Sequence, residues 1–102
     1  MSIKKKYFKK KSTCEVTFTI PKNLGQKNKT AHLVGDFNDW NTQATPMSKQ
    51  KDGSFSITVE LEKGNEYQFK YLLNDEIWIN ETEADKLVPS YLNDENNSEI
   101  FV

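Results

Sequence analysis

Residues 54–73 read SFSITVELEKGNEYQFKYLL, and this stretch decides the class of fold. Its first half has an apolar side chain at every second position, namely Phe55, Ile57, Val59 and Leu61. Its second half repeats the pattern with Tyr67, Phe69, Tyr71 and Leu73. Between the halves lies Lys63-Gly64-Asn65, which has the composition of a turn. Since a period of two is typical of half-buried strands, the stretch predicts two strands joined by a tight turn.

Shorter segments with strand character recur along the rest of the chain, at residues 13–20, 31–35, 77–79 and 100–102. Turn-forming residues separate these segments at intervals of roughly ten residues. The only helical candidate, residues 81–86, is too short to be stable by itself. The pattern predicts an all-β fold, an immunoglobulin-like β-sandwich of two antiparallel sheets with about seven strands.

The length of 102 residues suits one domain and is too short for two with separate cores. The alternation begins at residue 13, so we expect the β-sandwich domain to span residues 13–102. Residues 1–12 are rich in lysine, and we predict that they form a basic, flexible N-terminal tail. Two other roles remain open for this segment: it could contact an anionic partner, or fold back onto the acidic loops near the C-terminus.

Charge and composition exclude several classes of function. The net charge is −1 and all the positive side chains are lysines, which speaks against nucleic acid as a partner. No apolar stretch reaches the length of a membrane span or of a secretion signal, so we expect a soluble, cytoplasmic protein and no membrane partner. Cys14 is the single cysteine and alternates with apolar residues, which indicates a buried, inert thiol.

No group of residues in the sequence indicates catalysis. His32 is the only histidine and lies within a strand, where a structural role is the simpler interpretation. The sequence has no nucleophile elbow, no glycine-rich phosphate loop and no cluster of metal ligands. We therefore expect a protein that is not an enzyme and that needs no cofactor and no metal.

Trp40 and Trp78 differ from the other aromatic residues because each stands in a polar setting near the end of a strand. Two roles fit this placement. The indoles could cap the core of the sandwich, or they could present flat apolar surfaces to a ligand. An indole face suits the C–H-bearing face of a sugar ring, whose hydroxyls would bond to nearby amide and lysine side chains.

Residues 33–40, LVGDFNDW, resemble the signature of glycogen-binding domains of AMP-activated kinase β subunits. They also resemble the early-set domains that precede the barrels of isoamylases and glycogen branching enzymes, in carbohydrate-binding module family 48. The resemblance continues in order through residues 55–61, residues 64–71 with their lysine, Trp78, and the asparagines before the last strand. It spans residues 13–102 and implies an early-set β-sandwich.

The resemblance implies a non-catalytic module that recognises α-1,4-glucan such as glycogen, starch or maltooligosaccharide. It implies that Trp40 and Trp78 stack on glucose units, that Lys70 and Asn97 hydrogen-bond hydroxyls, and that Leu92 touches the glucan. The alternative is a regulatory sandwich that docks a glucan-metabolising enzyme in trans and has no sugar site of its own. Retention of both tryptophans with Lys70 and Asn97 favours the sugar site.

Overall fold

β-Strands make up nearly all the regular structure in the computed structural model, which describes residues 1–90 and 95–102. The strands found there are β1 Ser2–Tyr7, β2 Thr13–Ile20, β3 Ala31–Gly35, β4 Ser48–Lys49, β5 Phe55–Glu62, β6 Glu66–Leu73, β7 Ile77–Ile79, β8 Lys86–Pro89 and β9 Asn96–Phe101. A short helix α1 at Lys22–Gly25 and a 3-10 helix at Asp36–Asn38 complete the elements. In the described part of the chain, no helix is long and apolar enough to cross a membrane.

The strands form two antiparallel sheets. The four-stranded sheet has the order β1-β2-β5-β4, and the five-stranded sheet has the order β3-β6-β9-β8 with β7 also paired to β6. The predicted all-β sandwich of two antiparallel sheets is thereby confirmed. The described residues contain nine strands where about seven were predicted, because β1, β4 and β8 lack the apolar alternation that marks the others.

The core lies between the sheets and is rich in aromatic rings. Phe18 of β2 makes edge contacts with Phe69 and Tyr71 of β6, with ring centroids 5.1 and 6.4 Å apart. All three rings are fully buried. Cys14 is a free thiol buried in the same core, as its position in the alternation predicted.

A buried polar network ties β6 to the segment that follows β7. The Tyr71 hydroxyl donates to the carboxylate of Glu81 at 2.7 Å, and Glu81 is only 2% exposed. Burial raises the pKa of Tyr71, and the nearby Glu81 carboxylate raises it further. The backbone N–H of Glu81 donates to Ser98 Oγ, which in turn donates to Asn80 Oδ1. The network therefore joins β6, β9 and the end of β7.

The N-terminal segment departs from the sequence prediction of a flexible tail. Residues 2–7 form β1, which pairs along its whole length with β2. Lys5 Nζ lies 2.7 Å from Asp85 Oδ2 and also donates to the carbonyl of Phe101 at 2.8 Å. The same Asp85 oxygen accepts the Phe101 N–H. The Lys5–Asp85 contact agrees with the other role left open by the sequence, in which residues 1–12 fold back onto the acidic loops near the C-terminus.

The Tyr71–Glu81 bond yields a prediction for stability. Tyr71→Phe should lower the free energy of unfolding by about 2 kcal/mol, because the buried Glu81 carboxylate loses a donor and gains no water. Tyr67→Phe is the matched control, since its hydroxyl bonds to a carbonyl at an exposed site. Urea denaturation measures both values. Equal values for the two variants would show that the buried bond contributes nothing specific.

The Lys5–Asp85 contact yields a second prediction. Partial burial acts to raise the pKa of Asp85, but the bonds from Lys5 and the Phe101 N–H outweigh it and lower that pKa. Asp85 is thus ionised at neutral pH, and its contribution is lost only as the pH falls through this lowered value. Asp85→Asn should speed hydrogen exchange of the β1 amides at neutral pH, whereas Glu83→Gln, an exposed neighbour, should not. Unchanged exchange in Asp85→Asn would show that β1 is held by the β2 ladder alone.

Candidate functional site

The candidate site lies on the face of the five-stranded sheet that points away from the core, here called the outer face. β6 runs through its centre and alternates between the two sides. Phe69 and Tyr71 point into the core, so Gln68, Lys70 and Leu72 lie on the outer face. Directly opposed residues of neighbouring strands share a face, so the register places further side chains there.

Trp78 lies on the outer face because β7 pairs with β6 and sets Trp78 opposite Leu72. Its side chain is 42% exposed. The turn before it has Asn74 and Asp75 at positive φ, 52° and 59°, and Glu76 N–H donates to the carbonyl of Leu73. Two positive φ values in a row are the geometry of tight hairpin turns, which asparagine and aspartate tolerate. The indole is therefore presented from a short, well-defined hairpin.

Lys70 occupies the middle of the outer face, opposite Val34 of β3. The residue is only 7% exposed, and its ammonium lies 3.0 Å from Glu95 Oε2. The sequence led us to expect an exposed lysine. The structure instead buries it and pairs it with Glu95, the residue directly before β9.

Asn97 lies next to Lys70 on the same face. The β6–β9 ladder ends at the pair Phe69–Ser98, and Asn97 precedes Ser98 as Lys70 follows Phe69. Its side-chain amide donates to Gln68 Oε1 at 3.1 Å, and the residue is 9% exposed. Leu92, the remaining predicted site residue, lies outside the described residues.

The segment 35–40 has a local structure that explains its residue types. Gly35 leaves no room for a side chain, since a Cβ there would lie 2.5 Å from the carbonyl oxygen of Gln68. Phe37 packs against the core beside Phe18, with ring centroids 6.3 Å apart. Asn38 closes the turn, because its amide donates to the carbonyl of Leu33 and its oxygen accepts the Gly35 N–H.

Trp40 follows this turn and is half-buried. Its backbone has φ 56°, and its N–H donates to the carbonyl of Gly35 at 2.9 Å. The indole Nε1 donates to Asp36 Oδ1 at 2.8 Å, and Asp36 Oδ2 accepts the backbone N–H of Gln68, also at 2.8 Å. The structure therefore links Trp40 to the Gln68 end of the outer face, two residues along β6 from Lys70.

His32, to which the sequence analysis gave only a structural role, also lies on this face. It pairs with Leu72, so that His32, Leu72 and Trp78 form one row across three strands. His32 is 9% exposed, and its Nδ1 has no hydrogen-bond partner among the described residues. The Asp75 carboxylate lies 3.8 Å from His32 Nδ1. The sequence pattern of β3 could not show the position of His32 on the outer face, because Ala31 and Leu33 beside it mark only the side that faces the core.

The arrangement is suited to binding. The outer face carries the indole of Trp78, the amides of Gln68 and Asn97 and the ammonium of Lys70, and Asp36 links Trp40 to its Gln68 end. Among residues 1–90 and 95–102, no group of three or more His, Cys, Asp or Glu side chains is placed to hold a metal ion. Aromatic faces beside hydrogen-bonding side chains are the usual components of a site for a polar ligand with apolar faces.

Comparison with known families places this geometry in context. Residues 26–89 match carbohydrate-binding module 48, the isoamylase N-terminal domain. The matched region contains the 35–40 turn, β6 with Lys70, and Trp78. A search of curated proteins finds no match. Because the matched residues cover more than half of the chain, this protein belongs to the carbohydrate-binding module 48 family, whose members are non-catalytic binding modules.

Proposed function

We propose that this chain binds α-1,4-glucan at the outer face of the five-stranded sheet and catalyses no reaction there. Glycogen, starch and maltooligosaccharides are the ligands of this class. The observation that carries the proposal is the shared face: Trp78 is exposed on the same side of the sheet as Lys70 and Asn97. Family membership supports carbohydrate as the ligand.

Trp78 would supply the main apolar contact. Trp78 is 42% exposed on this face, so part of its surface is accessible to a ligand. Stacking of a glucose ring on an indole buries apolar area and adds C–H contacts with the π-system. A chain of several glucose units could extend from Trp78 along β6 toward Gln68. Trp40 would supply a second contact at the Gln68 end.

Lys70 and Asn97 would act on hydroxyl groups. An ammonium carries three donors, and one of them points at Glu95. The side chain of Glu95 is 67% exposed, so a sugar hydroxyl arriving from solvent meets this pair at its open side. The amide of Asn97 already bonds to Gln68, which orients it before a ligand arrives. Side chains held in this way lose little further entropy on binding.

Binding at such a site should be weak. The open rim buries little area, and desolvation of sugar hydroxyls and of the Lys70–Glu95 pair cancels much of the gain. We expect dissociation constants for short oligosaccharides of roughly micromolar to millimolar size. A glucan particle offers many chain ends, and several copies of the protein on one particle would raise the apparent affinity. We place this activity with glucan stores of the cytoplasm, since the free Cys14 requires no oxidising compartment.

The direct test is a titration of tryptophan fluorescence with maltoheptaose and β-cyclodextrin, with cellohexaose as the control sugar. The α-linked sugars should give a saturable change and cellohexaose should not. Trp78→Ala should weaken maltoheptaose binding in calorimetry by about tenfold or more, as expected when a central aromatic contact is removed. Tyr7→Ala removes an aromatic residue of similar exposure from the four-stranded sheet and should leave binding unchanged.

Absence of a response to millimolar α-linked sugar would contradict the proposal. The alternative would then be a sandwich that docks a glucan-metabolising enzyme. That alternative predicts co-migration of the chain with such an enzyme in gel filtration, and the same co-migration for Trp78→Ala. A response to cellohexaose as strong as that to maltoheptaose would instead contradict α-linkage specificity alone.

A further inference from the structure

The carboxylate of Asp36 makes two hydrogen bonds that join separate parts of the outer face. Its Oδ1 accepts the indole N–H of Trp40, and its Oδ2 accepts the backbone N–H of Gln68, each at 2.8 Å. Bonds from N–H groups to an ionised carboxylate are stronger than bonds between neutral groups. The two bonds therefore form a short bridge from an indole to the central strand.

The bridge stands where the ladder between β3 and β6 ends. The last pair of that ladder is Gly35–Phe69, so Gln68 is the next residue of β6 without a β3 partner. The chain turns into the 3-10 helix at Asp36, and the side chain of Asp36 accepts the N–H that another strand residue would otherwise have bonded. Asp36 thus completes the backbone bonding of β6 at the candidate site.

The backbone around Trp40 does not determine the direction of its ring. Asp39 and Trp40 both have φ 56°, in the left-handed region, and the Trp40 N–H bonds to the carbonyl of Gly35. This fixes the position of the Trp40 Cα, while the side chain can still rotate about its own bonds. The bond from the indole N–H to Asp36 selects one rotamer and ties the ring to the carboxylate that also accepts the Gln68 N–H.

We propose that Asp36 is the positioning residue for Trp40, orienting its indole against the Gln68 end of the outer face so that it can serve as the second glucan contact. The inference rests on the proposed function of that face. Asp36 itself needs no contact with sugar, because it acts through Trp40. Asp39, one residue before Trp40, is exposed and makes no comparable pair of bonds among the described residues.

The test compares Asp36→Asn with Asp39→Asn. Each removes one negative charge from the same loop and keeps the size of the side chain. The amide at position 36 has a single acceptor oxygen and two donors, so either Trp40 Nε1 or the Gln68 N–H loses its partner. Asp36→Asn should bind maltoheptaose about tenfold more weakly in calorimetry, the effect of one charge-assisted bond. Asp39→Asn should bind within about twofold of the unsubstituted chain.

A second readout follows Trp40 directly and needs no sugar. In the Trp78→Phe chain, Trp40 is the only tryptophan, so the emission maximum and the acrylamide quenching of tryptophan fluorescence report its environment. Asp36→Asn in that background should shift emission to longer wavelength and increase quenching, and Asp39→Asn should change neither. If Asp36→Asn fails to fold by circular dichroism, Asp36→Glu keeps the charge and displaces the carboxylate by one methylene. It should alter the Trp40 signal in the same direction.

The outcomes separate this inference from the proposed function. Unchanged Trp40 emission and quenching in a folded Asp36 variant would overturn the positioning role, whatever the sugar does. A changed Trp40 signal with normal maltoheptaose affinity would overturn the link between Trp40 and binding. If the unsubstituted chain binds no maltoheptaose while Asp36→Asn still alters Trp40, the proposed function fails and the claim that Asp36 orients the ring is supported.

Discussion

The edge-to-face contact between Phe18 and Phe69 is the interaction on which the rest of the structure depends. The ring centroids are 5.1 Å apart, the planes meet at 65°, and both rings are fully buried between the sheets. The contact fixes which side of β6 faces the core. A slip of one residue in the register of β6 would turn Phe69 toward solvent and Lys70 into the core. Such a slip is strongly unfavourable, because it would bury the unpaired charge of Lys70. The packing of the core thus determines which side chains of β6 lie on the outer face.

Two kinds of support hold the side chains of that face. Lys70 and Trp78 stand on paired strands, and their positions follow from the ladder of β6 with its neighbours. Trp40 stands on a turn, and its position follows from side-chain bonds through Asn38 and Asp36. Substitutions in the turn can therefore move one aromatic surface and leave the rest of the face unchanged. A face built in this way can be changed at one end without disturbing the core beneath it.

The alternation of apolar residues predicted β2, β5 and β6 with nearly the bounds that the structure shows, because every second side chain of these strands points into the core. The short apolar segments at residues 31–35 and 77–79 likewise predicted β3 and β7. The alternation did not reveal β1 or β8, since these are edge strands with little burial: Lys5 stands opposite the core residue Val16, and Leu87 is exposed. Trp40 and Trp78 stood out by their polar surroundings. The ion pair of Lys70 with Glu95 could not be predicted, because the two residues are 25 positions apart in the sequence. The role of Asp36 was hidden for a similar reason: it depends on where the β3–β6 ladder stops.

The most direct measurement is a ¹⁵N–¹H correlation spectrum of the chain recorded with increasing maltoheptaose. If the outer face binds α-glucan, the backbone signals of Trp78, Leu72 and Lys70 and the indole signal of Trp78 should shift together along one saturation curve. The signals of Thr17 and Thr58, which bond to each other on the outward side of the four-stranded sheet, should stay in place. Shifts confined to Thr17, Thr58 and their neighbours, or no shifts at millimolar sugar, would contradict glucan binding at the outer face.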